Sequence, residues 1–320
     1  MIGDFVIKFR KKSFDKMWAD YKELMSVQGA VCSNDKSPSR SDGEIGLGSM
    51  DKLNTAGKIK LLTKIFPSQV RNLKEHKKSI RSIKDNPTQP KTTADAGFFE
   101  QLESKAREFG CDAIGYMITP NEFIFKTNAA LYKNAIVLTM KMDKTAIALA
   151  PSVETLDNVM KTYADLGEIS NKVAQYLREN GFAAHASPAY NGVAMYSIMG
   201  EYAGLGVRGR NGMLISPENG ACQRLAVVFT SIENLPFKKE NPHLWIKDYC
   251  AKCGKCVRKC PTGAIYDNSQ PLEYGDQKYI DSNKCLEYFS NNYGCSVCIK
   301  ECPFTTTSYE KIKTGFLKEH

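Results

Sequence analysis

Apolar side chains follow a different spacing before and after about residue 95. Beyond this point, one set recurs at helical intervals and stops at Gly110, as helices commonly do: Phe98, Phe99, Leu102, Ala106 and Phe109. A longer stripe predicts a helix over about residues 155–180, ended by Gly181: Val159, Tyr163, Leu166, Ile169, Val173 and Leu177. Short apolar runs at 113–118, 135–140 and 225–229, the last two rich in β-branched residues, predict buried strands. The pattern therefore predicts an α/β (α+β) domain over residues 96–240.

Residues 1–95 are polar and interrupted, with a patch rich in Ser, Asp and Gly at 33–48 and a basic stretch at 74–91. This composition predicts a basic N-terminal arm with short helices rather than a packed core. One amphipathic piece is expected to pack on the main body or on a partner; it carries Ile59, Leu61, Leu62, Ile65 and Phe66.

The chain has 320 residues and a formal net charge of +9. It contains no run of about 20 apolar residues and no apolar segment after its first basic residues, so we expect a cytoplasmic protein without a membrane segment or export signal. The positive charge would suit nucleic acid, an anionic cofactor or an acidic partner. Much of the lysine excess precedes Lys91, however, and a solvated surface is the simpler interpretation.

Eight of the eleven cysteines fall between Cys250 and Cys302, and this clustering favours metal binding over disulfides. The first four have the spacing C-x2-C-x2-C-x3-C-P of bacterial ferredoxins: Cys250, Cys253, Cys256 and Cys260, followed by Pro261. In this motif three thiolates hold one 4Fe-4S cluster and the fourth reaches a different cluster.

A second set repeats half of the motif, with Cys295, Cys298 and Cys302 before Pro303, and Cys285 supplies the missing ligand. We therefore predict a crossed assignment, in which one cluster is held by Cys250, Cys253, Cys256 and Cys302, and the other by Cys260, Cys285, Cys295 and Cys298. Residues 241–310 would form a bacterial-ferredoxin-like module with two 4Fe-4S clusters, and 311–320 a tail. The alternative is a pair of structural zinc sites, but the proline after each closing cysteine favours iron and sulfur.

Basic residues lie among these cysteines: Lys252, Lys255, Arg258 and Lys259. They would offset the negative charge of the thiolates and raise the reduction potential, or they would simply form a solvated loop face.

A plain electron carrier needs only this module, so the preceding domain is expected to hold a site that receives electrons. The best candidate is the segment AGLGVRGRNG at 203–212, which contains G-x-G-x-x-G at Gly204, Gly206 and Gly209. Residues 193–202 before it predict a helix rather than a strand, and no acidic residue follows at the distance of a ribose ligand, so the context of a dinucleotide site is missing. The glycines would let the backbone approach a large flat cofactor, or would form tight turns.

The segment AGLGVRGRNGMLISPENGACQRLAVVFT, followed by Leu235-Pro236 and the two cysteine sets, resembles the cobalamin-dependent reductive dehalogenases and their relatives, the epoxyqueuosine reductases. The similarity extends upstream through the pieces YKNAIV, APS and YAD, and covers roughly residues 97–304. The order of these pieces carries the resemblance, and the dehalogenase branch is the nearer one.

The resemblance implies a nitroreductase-like domain that holds a base-off corrinoid (cobalamin) beside the nearer cluster. None of the four histidines stands in the D-x-H-x-x-G setting that ligates cobalt in other corrinoid proteins. Contacts with the corrinoid are expected from Gly204, Leu205, Gly206, Arg208, Gly209, Arg210 and Asn211. The two arginines would reach anionic substituents or substrate, or would simply be surface arginines.

Electrons would come from an external low-potential donor, a ferredoxin or flavodoxin, and the substrate would be a small organic molecule, with halogenated compounds as the precedent. Tyr163 falls where the dehalogenases place their proton-donating tyrosine, and a phenol becomes a competent donor when a nearby cation stabilises phenolate. Its position on an apolar stripe fits core packing equally well. Tyr190 is the reserve donor, because it stands at the position of the aspartate that epoxyqueuosine reductases use.

Two other functions are considered. A reductase of a modified tRNA nucleoside would suit the positive charge, but the aspartate and the C-terminal helical repeats for tRNA are missing, so no nucleic acid partner is expected. A non-enzymatic electron-transfer protein or corrinoid reductase would use the α/β domain to dock a partner and would bind no corrinoid tightly.

Overall fold

The computed structural model describes residues 22–39, 55–190 and 192–318. It confirms the predicted mixture of helices and strands. The strands are β1 (Val31–Cys32), β2 (Ala113–Ile118), β3 (Ala129–Ala130), β4 (Asn134–Lys141), β5 (Ala184–Ser187), β6 (Val207–Arg208), β7 (Leu214–Ile215), β8 (Gln223–Thr230), β9 (Ile265–Pro271) and β10 (Gln277–Ile280). The helices are α1 (Thr55–Arg81), α2 (Ala96–Glu108), α3 (Lys144–Ala148), α4 (Val153–Glu179), α5 (Tyr196–Tyr202), α6 (Trp245–Cys253), α7 (Lys255–Lys259), α8 (Ser282–Asn291), α9 (Val297–Lys300), α10 (Pro303–Thr306) and α11 (Tyr309–Lys318).

The core is a four-stranded antiparallel sheet in the order β2-β4-β8-β5. Three of these strands are the three apolar runs, so that prediction is confirmed. Alternate side chains enter two separate apolar clusters, as the two-residue period of a strand requires. Ile136 and Leu138 of β4 face α2 and α4, whereas Ala135 and Val137 face α5. None of the helices in the described part of the chain is long and apolar enough to cross a bilayer.

The long helix α4 confirms the second helical prediction to within about two residues at each end. Ser152 caps its N-terminus, because the Ser152 hydroxyl accepts a hydrogen bond from the backbone N–H of Thr155. Gly181 (φ 88°) follows its C-terminus in the left-handed conformation that glycine adopts most easily.

Helix α1 corrects the prediction of short helices in the N-terminal arm, since it is a single helix of 27 residues that packs along α4. Its buried face is mostly polar, with Gln69, Asn72 and His76 at helical spacing, so apolar periodicity does not reveal it. Pro67 lies inside the helix, and a proline in the interior of a helix removes a backbone hydrogen bond, so the sequence did not predict one continuous helix here. The prediction that the amphipathic piece packs on the main body is correct for Leu61, which is buried. It is wrong for Ile59 and Phe66, which are 54% and 48% exposed. Most of the patch at 33–48 lies outside the described residues.

The cysteine module consists of α6 to α11 and the hairpin of β9 and β10. It joins the α/β domain through one apolar cluster that contains Met142 and Ile147 on one side and Ile246, Ile299 and Phe304 on the other. The glycine-rich segment at 203–212 runs between the two parts, where β6 pairs with β7.

Candidate functional site

Four of the predicted ligands come together although Cys302 is distant from the others in sequence. Helix α6 carries Cys250 and Cys253, and the left-handed Gly254 (φ 52°) turns the chain directly into α7, which carries Cys256. Cys302 lies directly before the start of α10. The four cysteines line one cavity, together with residues 209–211, Ile215, Tyr249, Gly254, Pro303 and Phe304. This group of cysteines matches the first set of the crossed assignment.

The other four predicted ligands form a second group. Burial, followed by the nearby thiols of Cys295 and Cys260, raises the pKa of Cys285 to about 11. Burial also raises the pKa of Cys298, and Cys295 and Cys285 act in the same direction. At Cys260, burial alone would raise the pKa. Hydrogen bonds from the backbone and hydroxyl of Thr262 outweigh this effect, and the pKa is lowered. Cys285, Cys295, Cys298 and Cys260 thus lie near one another, and Cys256 of the first set also acts on Cys298.

The backbone that presents the second set is strained. Tyr293, Cys295 and Ser296 have φ values of 52°, 41° and 67°, in the left-handed region that side chains other than glycine rarely adopt. Strain of this kind persists where the surroundings impose it, often at functional sites. These residues form the turn between α8 and α9, which carries Cys295 and leads into the helix that carries Cys298.

All eleven cysteines are free thiols. Burial raises the pKa of Cys250 and of Cys302 to about 12, and the neighbouring thiols of the first set add to this. Thiolates are the form that binds metal, and a bound cation supplies the charge that stabilises them. Within the described ranges, no three His, Cys, Asp or Glu side chains converge closely enough for a single metal ion. Four thiols around a shared cavity are the donor set that a 4Fe-4S cluster requires.

The glycine-rich segment makes close contacts with protein. A β-carbon on Gly206 would lie 2.1 Å from the carbonyl oxygen of Ile215, so the approach of β6 to β7 requires glycine there. A β-carbon on Gly209 would lie 2.7 Å from Cδ1 of Ile215 and 3.4 Å from the Cys250 sulfur. Leu205 is buried in the apolar core. The segment therefore forms part of the wall of the first cysteine cavity.

The two arginines of this segment differ. Arg208 is 5% exposed, so the surface interpretation is wrong for it. Its Nε lies 2.8 Å from a carboxylate oxygen of Glu201 on α5, and its Nη2 bonds to Asp276 of the hairpin. Arg210 is partly exposed, and its Nη1 donates to the carbonyl oxygen of Ala251 at 3.5 Å. Asn211 donates from Nδ2 to the carbonyl oxygen of Cys298 at 3.3 Å, which ties the segment to the second cysteine set.

A cavity of about 620 Å³ opens between the glycine-rich segment, α5 and the hairpin. The segment contributes Arg208, Gly212 and Met213, the helix contributes Tyr196 and Ile198, and the hairpin contributes Tyr274, Gln277, Tyr279 and Ile280. Apolar and aromatic side chains with a few polar groups are typical of cofactor sites. A larger cavity of about 1110 Å³ lies beside α3 and α4 and is lined largely by surface charges.

The structure brings the two candidate proton donors together. The rings of Tyr163 and Tyr190 lie 5.9 Å apart in an edge-to-face arrangement. Tyr163 of α4 is partly buried between the apolar cluster of the cysteine module and the cluster beneath α1. Tyr190 is buried, and its hydroxyl oxygen accepts a hydrogen bond from Nε2 of Gln69 at 2.6 Å.

Two residues of this site were missed from the sequence. The guanidinium of Arg224, on β8, lies 5.1 Å from the centroid of the Tyr163 ring, and its Nε has no hydrogen-bond partner among the described residues. Gln69 lies on the unpredicted face of α1. In the sequence, Arg224 is a charged residue directly before the apolar run at 225–229, and nothing in this position indicates that it meets Tyr163.

Comparisons with known proteins agree with this architecture. A family model for a 4Fe-4S binding domain matches residues 243–266, which include the first four cysteines of the module. The chain is 32% identical over 195 residues to the tetrachloroethene reductive dehalogenase of Desulfitobacterium hafniense, which covers 57% of this chain and 34% of that protein. It is 28% identical over 180 residues to the epoxyqueuosine reductase of Listeria monocytogenes. This match spans 52% of the present chain and 38% of that protein. The chain thus spans about a third of the length of the dehalogenases that it matches.

Solved structures show the same fold. A reductive dehalogenase described with a mechanism for B12-dependent dehalogenation matches with a TM-score of 0.61 and 21% identity, over 72% of this chain and 36% of that chain. A catabolic reductive dehalogenase in complex with 3-bromo-4-hydroxybenzoic acid matches with a TM-score of 0.60, over 69% and 34%. The resemblance predicted from the sequence is confirmed, since reductive dehalogenases and epoxyqueuosine reductases, both oxidoreductases, are relatives of this chain.

Proposed function

We propose that this chain is an oxidoreductase that uses two 4Fe-4S clusters and a corrinoid to reduce a small organic molecule, with halogenated compounds as the nearest precedent. One observation carries this function: Cys302 meets Cys250, Cys253 and Cys256 around a single cavity. Ligands that cross between two motifs are the mark of two-cluster ferredoxins. The names of the relatives support dehalogenation and B12 as the cofactor.

The first cysteine set would hold one cluster and the second set the other. When bound, the clusters and the corrinoid supply one-electron carriers and a low-valent cobalt centre. An external low-potential ferredoxin or flavodoxin would provide the electrons. Asn211 would hold the glycine-rich segment next to the second set, because its side chain donates a hydrogen bond to the backbone carbonyl oxygen of Cys298.

The corrinoid would occupy the 620 Å³ cavity, within a nitroreductase-like domain. Arg208, Gly212 and Met213 line this cavity, whereas Gly206 packs against Ile215 and Leu205 is buried in the apolar core. His76 of α1 and His185 of β5 are buried, and His243 bonds to Tyr309. None of these three described histidines lines the cavity, so they would offer no imidazole to the cobalt of a base-off corrinoid.

Tyr163 would donate the proton. Reductive cleavage of a carbon–halogen bond takes up two electrons and one proton, and it releases the halide while a carbon–hydrogen bond forms. The Arg224 guanidinium beside the Tyr163 ring would stabilise the phenolate that remains. Tyr190 would hold the Tyr163 ring through their edge contact and is the reserve donor.

A tRNA nucleoside reductase is the second candidate, favoured by the epoxyqueuosine reductase relatives and by the net charge of +9. In that case a stem-loop RNA should bind with an affinity that falls steeply with salt. A corrinoid-free electron carrier is the third candidate.

The deciding experiment is a titration of the anaerobic, cluster-loaded protein with cobalamin. Our proposal predicts about one corrinoid per chain, with the absorption spectrum of the base-off form, retained through gel filtration. Cobalamin that elutes free at micromolar protein concentration would make the electron carrier the better account.

A further inference from the structure

Each half of the cysteine module closes with a cysteine and a proline, at 260–261 and at 302–303, so the two closing turns can be compared residue by residue. Thr262 follows the first of these pairs, whereas Phe304 follows the second. One turn therefore carries a hydroxyl group at the position where the other carries an apolar ring. From this difference we infer that the Thr262 hydroxyl raises the reduction potential of the cluster held by the second cysteine set.

The chain around Cys260 folds into a tight turn that fixes the place of Thr262. Pro261 stands at the second position of this turn, where the fixed φ angle of proline is favourable. The backbone N–H of Gly263 closes the turn by donating to the carbonyl oxygen of Cys260 at 3.3 Å. Gly263 has a left-handed φ of 60° and leads the chain toward β9. The backbone itself thus holds Thr262 beside a predicted ligand of the second set.

The side chain of Thr262 contacts the sulfur of this ligand. The hydroxyl oxygen of Thr262 lies 3.6 Å from Sγ of Cys260, and the two groups form a hydrogen bond. Between a hydroxyl and a free thiol either atom can be the donor, but a cysteine that binds iron is a thiolate and has no proton to donate. Thr262 is therefore the donor whenever the second set holds a cluster.

The backbone donors, in contrast, are common to both closing turns. The backbone N–H of Thr262 donates a hydrogen bond to the sulfur of Cys260. The backbone N–H of Phe304, at the matching position, donates one to the sulfur of Cys302. The hydroxyl of Thr262 is thus an additional donor, and the phenyl ring of Phe304 offers none.

A hydrogen bond to a ligand sulfur favours the reduced state of a cluster. Reduction adds one negative charge to the cluster and its thiolates, and a hydrogen bond becomes stronger as its acceptor becomes more negative. Loss of the Thr262 hydroxyl would therefore destabilise the reduced form more than the oxidised form. Thr262 would act through Cys260, by setting how readily this cluster accepts an electron. This inference rests on the function proposed above and adds to it the control of one cluster's potential.

The test is a redox titration of the cluster-loaded full chain, followed by paramagnetic resonance. The wild-type protein is compared with Thr262→Val, which removes the hydroxyl but keeps the shape, with Thr262→Ser, which keeps the hydroxyl, and with Thr306→Val as the control. Thr306 is exposed, and its hydroxyl donates to the carbonyl oxygen of Pro303 at 3.3 Å. The midpoint potential that is lost in Cys298→Ala identifies the cluster of the second set. Iron and sulfide contents are measured first, because a wild-type chain without clusters would refute the proposed function rather than the role of Thr262.

We expect Thr262→Val to lower the midpoint potential of this cluster and to leave that of the other cluster unchanged. The equilibrium constant for its reduction should fall by ~10-fold, which corresponds to about 59 mV for a one-electron couple. Thr262→Ser and Thr306→Val should keep both potentials of the wild type. Equal potentials in Thr262→Val and the wild type, or an equal fall in Thr262→Ser, would overturn the inference. Thr262→Ala serves as a second variant without the hydroxyl, and failure of this cluster to load in both variants would also overturn the inference, because Thr262 would then be needed for assembly.

Discussion

At the scale of single residues, Tyr163 is the position where packing and chemistry are hardest to separate. Its ring belongs to the apolar stripe of α4, yet it also lies against the guanidinium of Arg224 and the ring of Tyr190. The catalytic role uses the hydroxyl of Tyr163, whereas the packing role uses only its ring. A catalytic role and a packing role therefore predict different consequences of removing the hydroxyl alone.

Tyr163→Phe keeps the ring and removes only the acidic group. We expect it to retain both clusters and the bound corrinoid while turnover falls by ~100-fold or more, because a general acid is lost. The measurement is steady-state turnover of a halogenated aromatic or alkene, together with iron, sulfide and corrinoid contents. Tyr190→Phe is the matched control, since it removes the hydroxyl that accepts from Gln69. Normal turnover in Tyr163→Phe with an inactive Tyr190→Phe would transfer the role of donor to Tyr190.

At the scale of elements, a buried ion cluster fastens the hairpin to the α/β domain. Arg208 of β6 bonds to Glu201 of α5 and to Asp276 of the hairpin, and Lys247 of α6 bonds to Glu201 at 2.8 Å. Arg208→Met should lower the free energy of unfolding by about 3–5 kcal/mol, because it leaves two buried carboxylates without their main partner. Urea denaturation measures this change. Arg71→Met, which breaks an exposed pair with Asp165, should cost no more than about 1 kcal/mol.

The same cluster predicts a pH dependence. Burial alone would raise the pKa of Glu201, but the hydrogen bond from Lys247 and the charge of Arg208 together hold it below its usual value. The folded-state pKa is thus below that of the unfolded chain, so this stabilisation is complete above about pH 4.5 and is lost as the pH falls through the folded-state pKa. Glu201→Gln should flatten the acid side of the stability profile below about pH 4.5. An unchanged slope would mean that Glu201 titrates normally.

The crossed arrangement of the cysteines gives a further prediction at this scale. Cys302→Ala should damage the cluster held by Cys250, Cys253 and Cys256, although its nearest neighbours in sequence belong to the other set. Paramagnetic resonance of the reduced protein can resolve which cluster changes. Cys298→Ala is the matched control and should affect the other cluster. Loss of the same cluster in both variants would contradict the crossed assignment.

At the scale of the whole molecule, the sequence predicts those parts whose signal is local. The strand Ala113–Ile118 and the helix α4 follow from apolar runs and stripes, and both are present. The cysteine groups follow from motif spacing, because a ferredoxin motif fixes geometry through its turns. The order of the motifs also predicts the architecture, because a reductive dehalogenase of known structure matches 72% of this chain.

Other features depend on contacts between distant segments. Helix α1 buries a polar face against α4, so its Gln69 and His76 give no apolar period. Arg208 looks like a surface residue in sequence, because only the fold brings Glu201 and Asp276 to it. Arg224 meets Tyr163 across two elements, and neither residue carries a motif that predicts the pair.

The most direct test of the account is the iron and labile sulfide content of the anaerobically prepared full chain. Two cubane clusters with crossed ligation predict about eight irons and about eight sulfides per chain. The second cysteine set and the first should contribute equally, so about half of this content should remain when one cluster is lost. Stoichiometric zinc without labile sulfide would contradict the account at its base, because neither an electron route nor a reductase could then be built on these cysteines.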